Sequence, residues 1–273
     1  HSVGPGGSPA MVGDKLILVC DGIDDQFIAA LDKRTGSEAW RTQRPKMRAT
    51  NDEFQKAYST PIVIRVNDVT QLVIPGAQWI VAYEPETGEE IWRVDHGNGF
   101  SLSSSPIYTG TDDEVGLVVF TTGYGQTEVV AIRPDGEGDV TLSHVAWRTD
   151  RGVPAKPSPV HAGGLIYMID DNGVFSCLRS SDALLVFRKR VSGNFSASPL
   201  LAGGHIYLCS QEGEVTIVGQ SESFAEVAKN KLDGRIMASP AVSGNDLIIR
   251  SEHSVMRFTR SPEESTKDSG ATN

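Results

Sequence analysis

The sequence is poor in cysteine, in basic charge and in long apolar runs. Its three cysteines, Cys20, Cys177 and Cys209, lie far apart without Cys-x-x-Cys spacing, which argues against a zinc site and against a disulfide framework. A formal net charge of -10 disfavours nucleic acid as a partner, because phosphate binding needs a concentrated basic surface. No apolar run reaches the roughly 18 to 20 residues that span a bilayer. With 273 residues, of which 39% are hydrophobic, the chain is long enough for one large β domain.

Motifs of catalysis and metal binding are also missing. The six histidines show no ligand spacing such as His-Glu-x-x-His, and no Gly-x-Ser-x-Gly marks a nucleophile. Two acidic clusters stand out, one at Asp21, Asp24 and Asp25 and one at 112–114. The first is able to supply some oxygen ligands of calcium, but we interpret both as solvated turns.

A Ser-Pro or Thr-Pro dipeptide recurs along the whole chain. Its six copies are Ser8-Pro9, Thr60-Pro61, Ser105-Pro106, Ser158-Pro159, Ser198-Pro199 and Ser239-Pro240. These anchors are 40 to 53 residues apart, a period typical of radial or stacked repeats.

Within a repeat, short β-branched and aromatic runs alternate with Gly, Asp and Asn turns. The clearest copy, 158–188, contains four such runs, with Asp171-Asn172-Gly173 as a hairpin signal. Four short antiparallel strands cannot bury both faces alone, but sheets packed face to face can. The pattern therefore predicts an all-β protein, a β-propeller of four-stranded antiparallel blades with six units visible.

The recurring residues are predicted to have structural roles. Proline suits the start of an inner strand, and the preceding Ser or Thr is expected to bond locally to the backbone and set the entry turn. The glycine of each Thr-Gly pair is expected at a positive φ. Large residues close the units and are predicted to dock one blade on the next: Trp40, Trp92, Trp147 and Phe187.

Segments 30–40 and 82–92, which share Thr-Gly-x-x-x-Trp, resemble the tryptophan-docking motif of pyrroloquinoline-quinone (PQQ) repeat propellers. The likeness extends through all six units, about 7–258. Members of this family usually have eight blades, so the resemblance favours six units that are part of a seven- or eight-bladed propeller whose N-terminal blades are missing. The alternative is that the first six residues form a minimal latch that closes the propeller. We expect this truncated propeller to cover residues 1–260 and a disordered polar tail to cover 261–273.

The resemblance leaves function open, because the family includes quinoprotein dehydrogenases, a periplasmic scaffold of outer-membrane assembly and secreted bacterial proteins. A dehydrogenase of the best-known subclass would need an adjacent cysteine pair, a Glu/Asn/Asp set that holds calcium, and an Asp base. The sequence has no Cys-Cys and no identifiable set of this kind. We therefore assign no catalytic, cofactor or metal residue, and keep PQQ with calcium as the alternative.

Two spacings between anchors are stretched, by insertions within 41–59 and within 133–146. The first places Arg44, Lys46 and Arg48 close together, on the face expected to carry the hairpins at Trp79 and Tyr124. Interfaces favour such residues, so these five form a predicted binding face for a protein or peptide. The competing interpretation is that Trp79 packs on its own blade and the cations are merely solvated.

The sequence as a whole indicates a periplasmic or secreted, non-enzymatic scaffold that binds a protein or envelope component. The alternative is a propeller that binds, or once bound, PQQ and resembles a quinoprotein dehydrogenase.

Overall fold

The computed structural model describes residue 4 and residues 6–111 and 113–259, and these form almost only β-structure. They contain 24 strands and one short 3-10 helix, η1 (Asp52–Phe54), and no α-helix. Asp112 of the second acidic cluster and the predicted tail at 261–273 lie outside the described residues.

The strands form six consecutive sheets that follow the six anchors. Sheet 1 contains β1 (Ala10–Val12), β2 (Lys15–Asp21), β3 (Gln26–Asp32) and β4 (Glu38–Gln43). Sheet 2 contains β5 (Ile62–Val66), β6 (Val69–Pro75), β7 (Trp79–Tyr83) and β8 (Glu90–Asp95). Sheet 3 contains β9 (Ile107–Tyr108), β10 (Val118–Thr121), β11 (Val129–Ile132) and β13 (Val145–Thr149).

The remaining sheets repeat this order. Sheet 4 contains β14 (Val160–Ala162), β15 (Leu165–Ile169), β16 (Val174–Arg179) and β17 (Leu185–Arg190). Sheet 5 contains β18 (Leu200–Ala202), β19 (His205–Cys209), β20 (Glu214–Gly219) and β21 (Glu226–Lys231). Sheet 6 has three described strands, β22 (Ala241–Ser243), β23 (Asp246–Arg250) and β24 (Val255–Thr259). Neighbouring strands within these units are antiparallel, as the blades of a propeller require.

Five apolar cores separate the six sheets, one between each consecutive pair. Alternation along a strand sends neighbouring side chains into different cores. Leu72 and Ile74 pack towards sheet 1, whereas Val73 between them packs towards sheet 3. Because both faces of a middle sheet are buried, the sequences of its strands consist of consecutive apolar residues.

The large closing residues join neighbouring sheets. Trp40 donates its indole N–H to the Pro85 carbonyl of sheet 2, 3.0 Å away, and its ring lies where a Cβ on Gly88 would be only 2.4 Å from Cε3. Trp147 donates to the Ser180 carbonyl of sheet 4 at 3.0 Å. Gly36 and Gly88 of the Thr-Gly turns have φ of 74° and 75°, which confirms the positive angle expected there.

Trp92 and Phe187 make different contacts. Trp92 is fully buried and donates to Gln71 Oε1 at 2.8 Å, while Gln71 Nε2 donates to the Pro134 carbonyl beyond β11 at 3.0 Å. Phe187 packs edge-to-face on Phe224 of sheet 5, with 6.2 Å between ring centroids. Trp92 therefore reaches sheet 3 through Gln71, and Phe187 contacts sheet 5 through a ring contact where Trp40 and Trp147 use a hydrogen bond.

The sequence led us to expect local hydrogen bonds from the anchor hydroxyl groups to the backbone. The structure shows bonds between neighbouring sheets in their place. For four of the five consecutive anchor pairs, the backbone N–H of one anchor instead donates to the hydroxyl of the next: Ser8 to Thr60, Ser105 to Ser158, Ser158 to Ser198 and Ser198 to Ser239. These distances are 2.9 to 3.1 Å. The expectation was wrong because the nearest unsatisfied donor lies on the neighbouring sheet. We call this series the anchor row.

The second insertion adds a fifth strand to sheet 2. Its β12 (Gly138–Asp139) pairs in parallel with β8, where Val140 is buried and donates its N–H to the Arg93 carbonyl at 3.0 Å. The insertion thereby covers an otherwise free outer edge.

The anchor row leads to a prediction about Ser198. We expect Ser198→Ala to lower the free energy of unfolding by about 1 kcal/mol, because the N–H of Ser158 loses its acceptor. Ser198→Thr keeps a hydroxyl group at this anchor, as Thr60 does at its own. Its free energy of unfolding should be close to that of the wild type. Chemical denaturation measures both, and Ser192→Ala is the control because that side chain is exposed. An equal loss in the control and in Ser198→Ala would contradict the prediction.

Candidate binding face

The first insertion folds across the ends of sheets 1 to 3. Asn51 caps η1 by accepting from the N–H of Glu53 at 3.0 Å, and Gln55 Nε2 donates to the Ala49 carbonyl at 2.7 Å. Further on, the N–H of Tyr58 donates to the Leu102 carbonyl at 2.7 Å. The segment is therefore held by hydrogen bonds within itself and to the loop that follows β8.

Arg44 is not an exposed member of this face, contrary to the expectation of a partner-binding cation. Only 7% of the residue is exposed, and its Nε lies 3.1 Å from Oδ1 of Asp21, which is also buried. Its Nη1 donates to the Tyr83 hydroxyl at 3.2 Å and its Nη2 to the Ile74 carbonyl at 3.3 Å. Burial raises the pKa of the Asp21 carboxyl, and the Arg44 guanidinium opposes that rise.

Gly76 is required beside this ion pair. A Cβ on Gly76 would lie 2.1 Å from Nη2 of Arg44 and 3.0 Å from Oδ2 of Asp21. The buried pair thus fixes the start of the insertion against the β6–β7 hairpin. It also removes Asp21 from any cluster with Asp24 and Asp25, both of which are partly or fully exposed.

Arg48 is exposed but already partnered. Its guanidinium contacts both carboxylate oxygens of Asp95, with 2.9 Å from Nη2 to Oδ1, and donates to the Gly97 carbonyl at 3.1 Å. It also lies 5.9 Å from the ring centroid of Trp79. Among the described residues no ion pair involves Lys46, which is exposed.

Trp79 is half-buried rather than open. It packs against the core between sheets 1 and 2, and its indole N–H donates to the Lys46 carbonyl at 3.3 Å. Arg93 lies on the ring at 5.5 Å from the centroid. Trp79 therefore supports the insertion and offers little free surface.

Tyr124 belongs to an exposed aromatic cluster with two phenylalanines, which we call the aromatic patch: Phe54, Phe100 and Tyr124. The ring centroids of Phe54 and Phe100 are 4.6 Å apart, and those of Phe100 and Tyr124 are 6.5 Å apart. Phe54 is 43% exposed and Tyr124 is 42% exposed. The sequence argument missed both phenylalanines, since they lie in different loops and neither follows the repeat.

His96 lies fully buried beneath the patch. One ring nitrogen, Nε2, bonds the Gly76 carbonyl at 2.8 Å, and the ring meets Phe120 edge-to-face at 5.4 Å. Burial lowers the pKa of His96 to about 4, so the ring is neutral near pH 7. As a neutral ring, it links the loop after β8, which carries Phe100, to the β6–β7 hairpin.

The described thiols and carboxylates offer no obvious reactive centre. Burial raises the pKa of Cys177 to about 11 and that of Cys209 to about 12, so neither is a thiolate at neutral pH. Within the described ranges, no three or more His, Cys, Asp and Glu side chains are grouped so as to hold a metal ion. No helix in the described part of the chain is long and apolar enough to cross a membrane.

The chain is similar to a known protein family in sequence and to known propellers in fold. A family profile described as outer membrane protein assembly factor BamB matches residues 76–223. The crystal structure of BamB from Moraxella catarrhalis has a TM-score of 0.64 at 15% identity, over 91% of this chain and 70% of that one. No curated protein matches the chain.

Two dehydrogenases share the fold as well. The quinohemoprotein alcohol dehydrogenase from Comamonas testosteroni has a TM-score of 0.61 at 14% identity, over 84% of this chain and 43% of that one. A europium-containing methanol dehydrogenase has a TM-score of 0.64 at 11% identity, over 90% of this chain and 65% of that one. The chain thus spans less than two thirds of either enzyme, and the likeness concerns the fold.

The two arginines of the insertion allow a matched prediction. Arg44→Met should lower the free energy of unfolding by about 3–5 kcal/mol, because it leaves the Asp21 carboxylate buried without its partner. Arg48→Met should cost less than about 1 kcal/mol, because its pair with Asp95 is solvent-screened. Denaturant titration of both variants measures the difference, and equal losses would show that Arg44 is not buried as described.

The pH dependence of stability should contain a contribution from His96. The pKa of His96 is about 4 in the folded protein, whereas the ordinary value of 6.5 applies to the unfolded chain. The unfolded chain therefore binds the proton more tightly. The contribution is present above pH 6.5 and is lost as the pH falls towards 4, by about 3 kcal/mol in all. Comparison with His96→Gln between pH 4 and 7 isolates it. Parallel stability curves for the two proteins would rule out this role.

Proposed function

The chain belongs to the family described as outer membrane protein assembly factor BamB, a family of PQQ-like repeat β-propellers, and on this premise we propose that it is a non-enzymatic scaffold. It binds a protein partner of the cell envelope through the face that carries the aromatic patch. Its site of action is the periplasm or the cell exterior. The family description and the fold shared with BamB support a protein partner, because that relative is named as an assembly factor.

The observation that carries this proposal is the aromatic patch. Phe54 comes from the first insertion, Phe100 from the loop after β8 and Tyr124 from the β10–β11 hairpin. Loops held on a rigid scaffold are common sites of recognition, and exposed aromatic clusters are common interface centres. Lys46 and Arg48, which are both exposed, lie on the same insertion as Phe54.

The insertion is anchored well enough to present this surface. The Asp21–Arg44 pair holds its start, and the N–H of Ser101 donates to the Lys56 carbonyl at 2.8 Å near its end. Because the backbone is held at both ends, little conformational entropy is lost when a partner binds.

The alternative, a quinone-dependent enzyme, rests on the fold that the two dehydrogenases share with this chain. The donor set does not fit it well. Calcium needs several converging oxygen ligands, whereas the best-placed carboxylate, Asp21, is engaged by Arg44 and the described residues form no group suited to a metal ion.

Site-specific cross-linking tests the binding face. A photo-reactive phenylalanine analogue at position 54 or 124 should give a discrete adduct with one envelope protein, because these side chains project outwards. The control position is Leu142, which is fully exposed but lies in the second insertion. Adduct formation should also fall at least tenfold when Tyr124→Ala is combined with the analogue at 54. Equal adducts at 142 and 124, or none at either patch position, would refute the binding face.

Adding the quinone with calcium tests the alternative. We expect no stoichiometric change in absorbance and no dye-linked oxidation of alcohols or sugars. Uptake of one equivalent with turnover would overturn the scaffold proposal.

A further inference from the structure

A cavity of about 590 Å³ opens at the aromatic patch, and Phe54 and Phe100 of the patch form part of its wall. It is formed where the first insertion, the loop after β8 and the β10–β11 hairpin meet. We call it the amide cup. The side chains that matter for its chemistry are Arg48, Asn51, Phe54, Asn98, Phe100 and Gln126.

The amide cup carries almost no net charge. No carboxylate of the described residues lines it, and its only cation, Arg48, is neutralised by Asp95. A ligand that bears a strong charge would therefore find no opposite charge to pair with. The cup is suited to a neutral ligand.

Its amides have unused hydrogen-bonding capacity of both kinds. Asn51 accepts from Glu53 through its oxygen, which leaves its amide N–H groups open. Gln126 donates to Glu128 through its nitrogen, which leaves its oxygen open. Asn98 is exposed, and its side chain has no hydrogen bond to any described residue. Open donors and open acceptors thus line the same cavity as two phenyl rings.

Part of the backbone around the cup is already hydrogen-bonded. Phe100 and Tyr124 exchange both of their N–H to carbonyl bonds, at 3.2 and 3.0 Å. The Gly99 carbonyl accepts from Gln78, and the N–H of Arg48 donates to Gln78 Oε1 at 2.7 Å. An extended peptide that binds by strand addition needs a free edge, and Phe100 and Tyr124 do not provide one because they pair with each other.

We propose that the amide cup binds a neutral oligosaccharide. A pyranose ring presents apolar C–H groups on its face and pairs of hydroxyl groups at its edge. The rings of Phe54 and Phe100 match the face, and the amides of Asn51, Asn98 and Gln126 match the hydroxyl groups. This inference goes beyond the proposed function, because it requires no protein partner.

Calorimetric titration with neutral tetrasaccharides tests it: chitotetraose, cellotetraose and maltotetraose. At least one should bind with a dissociation constant of about 1 mM or below. Phe54→Ala should weaken that binding at least tenfold, and Asn98→Ala should weaken it several-fold. Phe258→Ala is the matched control, because Phe258 is also 43% exposed but lies on β24. It should bind as the wild type does.

Circular dichroism confirms that each variant is folded, and Phe54 and Asn98 are exposed enough to be replaced without loss of the core. The inference is overturned if no neutral tetrasaccharide binds with a dissociation constant of about 1 mM or below. Equal weakening by Phe54→Ala and Phe258→Ala also overturns it, as does binding of only an acidic oligogalacturonate or a neutral tetrapeptide. The titration uses the purified chain alone, so it can fail while the cross-linking result stands, or succeed while that result fails.

Discussion

The middle sheets of this protein are apolar on both faces, and this constraint determines most of the remaining structure. Val119 packs towards sheet 4, while Val118 and Phe120 beside it pack towards sheet 2. A four-stranded sheet of this kind is insoluble alone and must lie between two others. Each unit therefore needs a close match with the next, and the recurrent residues of the sequence are the ones that provide it.

The match between sheets is made at two levels. At the inner strands, the anchor row joins the N–H of one anchor to the hydroxyl of the next. At the outer turns, Trp40 and Trp147 reach the backbone of the following sheet, and the Tyr167 hydroxyl does the same at the Ser221 carbonyl, 3.1 Å away. Both sets of hydrogen bonds join polar groups at the edge of an apolar core. Because hydrogen bonds are directional and dispersion forces are not, these bonds fix the relative position of two neighbouring sheets.

The sequence predicted the sheets well because their signals are local and repeated. Strand length, turn residues and the Thr-Gly angle are all properties of a few neighbouring residues. The partners of the anchor hydroxyls could not be predicted in the same way, since the acceptor of Ser158 lies 40 residues further on. A local bond was the simpler expectation, and it failed for this reason.

The candidate site was predictable only in outline. The stretched spacing correctly located the first insertion, and a cluster of cations suggested an exposed basic face. The sequence does not show which cation pairs with a buried carboxylate. In the structure this cation is Arg44, which forms a buried ion pair with Asp21. The aromatic patch was missed because Phe54 and Phe100 are distant in sequence and converge only when sheets 1 to 3 are in place.

The pairing of charges changes what the face can recognise. Arg44 is paired with Asp21 and Arg48 with Asp95, so two of the three cations that the sequence suggested for this face are neutralised within the protein. Long-range electrostatic attraction then contributes little, and contacts at short range must supply specificity. Among the described residues, the aromatic rings, the amides and the ammonium group of Lys46 remain unpaired at this surface. The paired charges of Arg44 and Arg48 thus hold the insertion in place, and recognition depends mainly on the aromatic rings and amides at this surface.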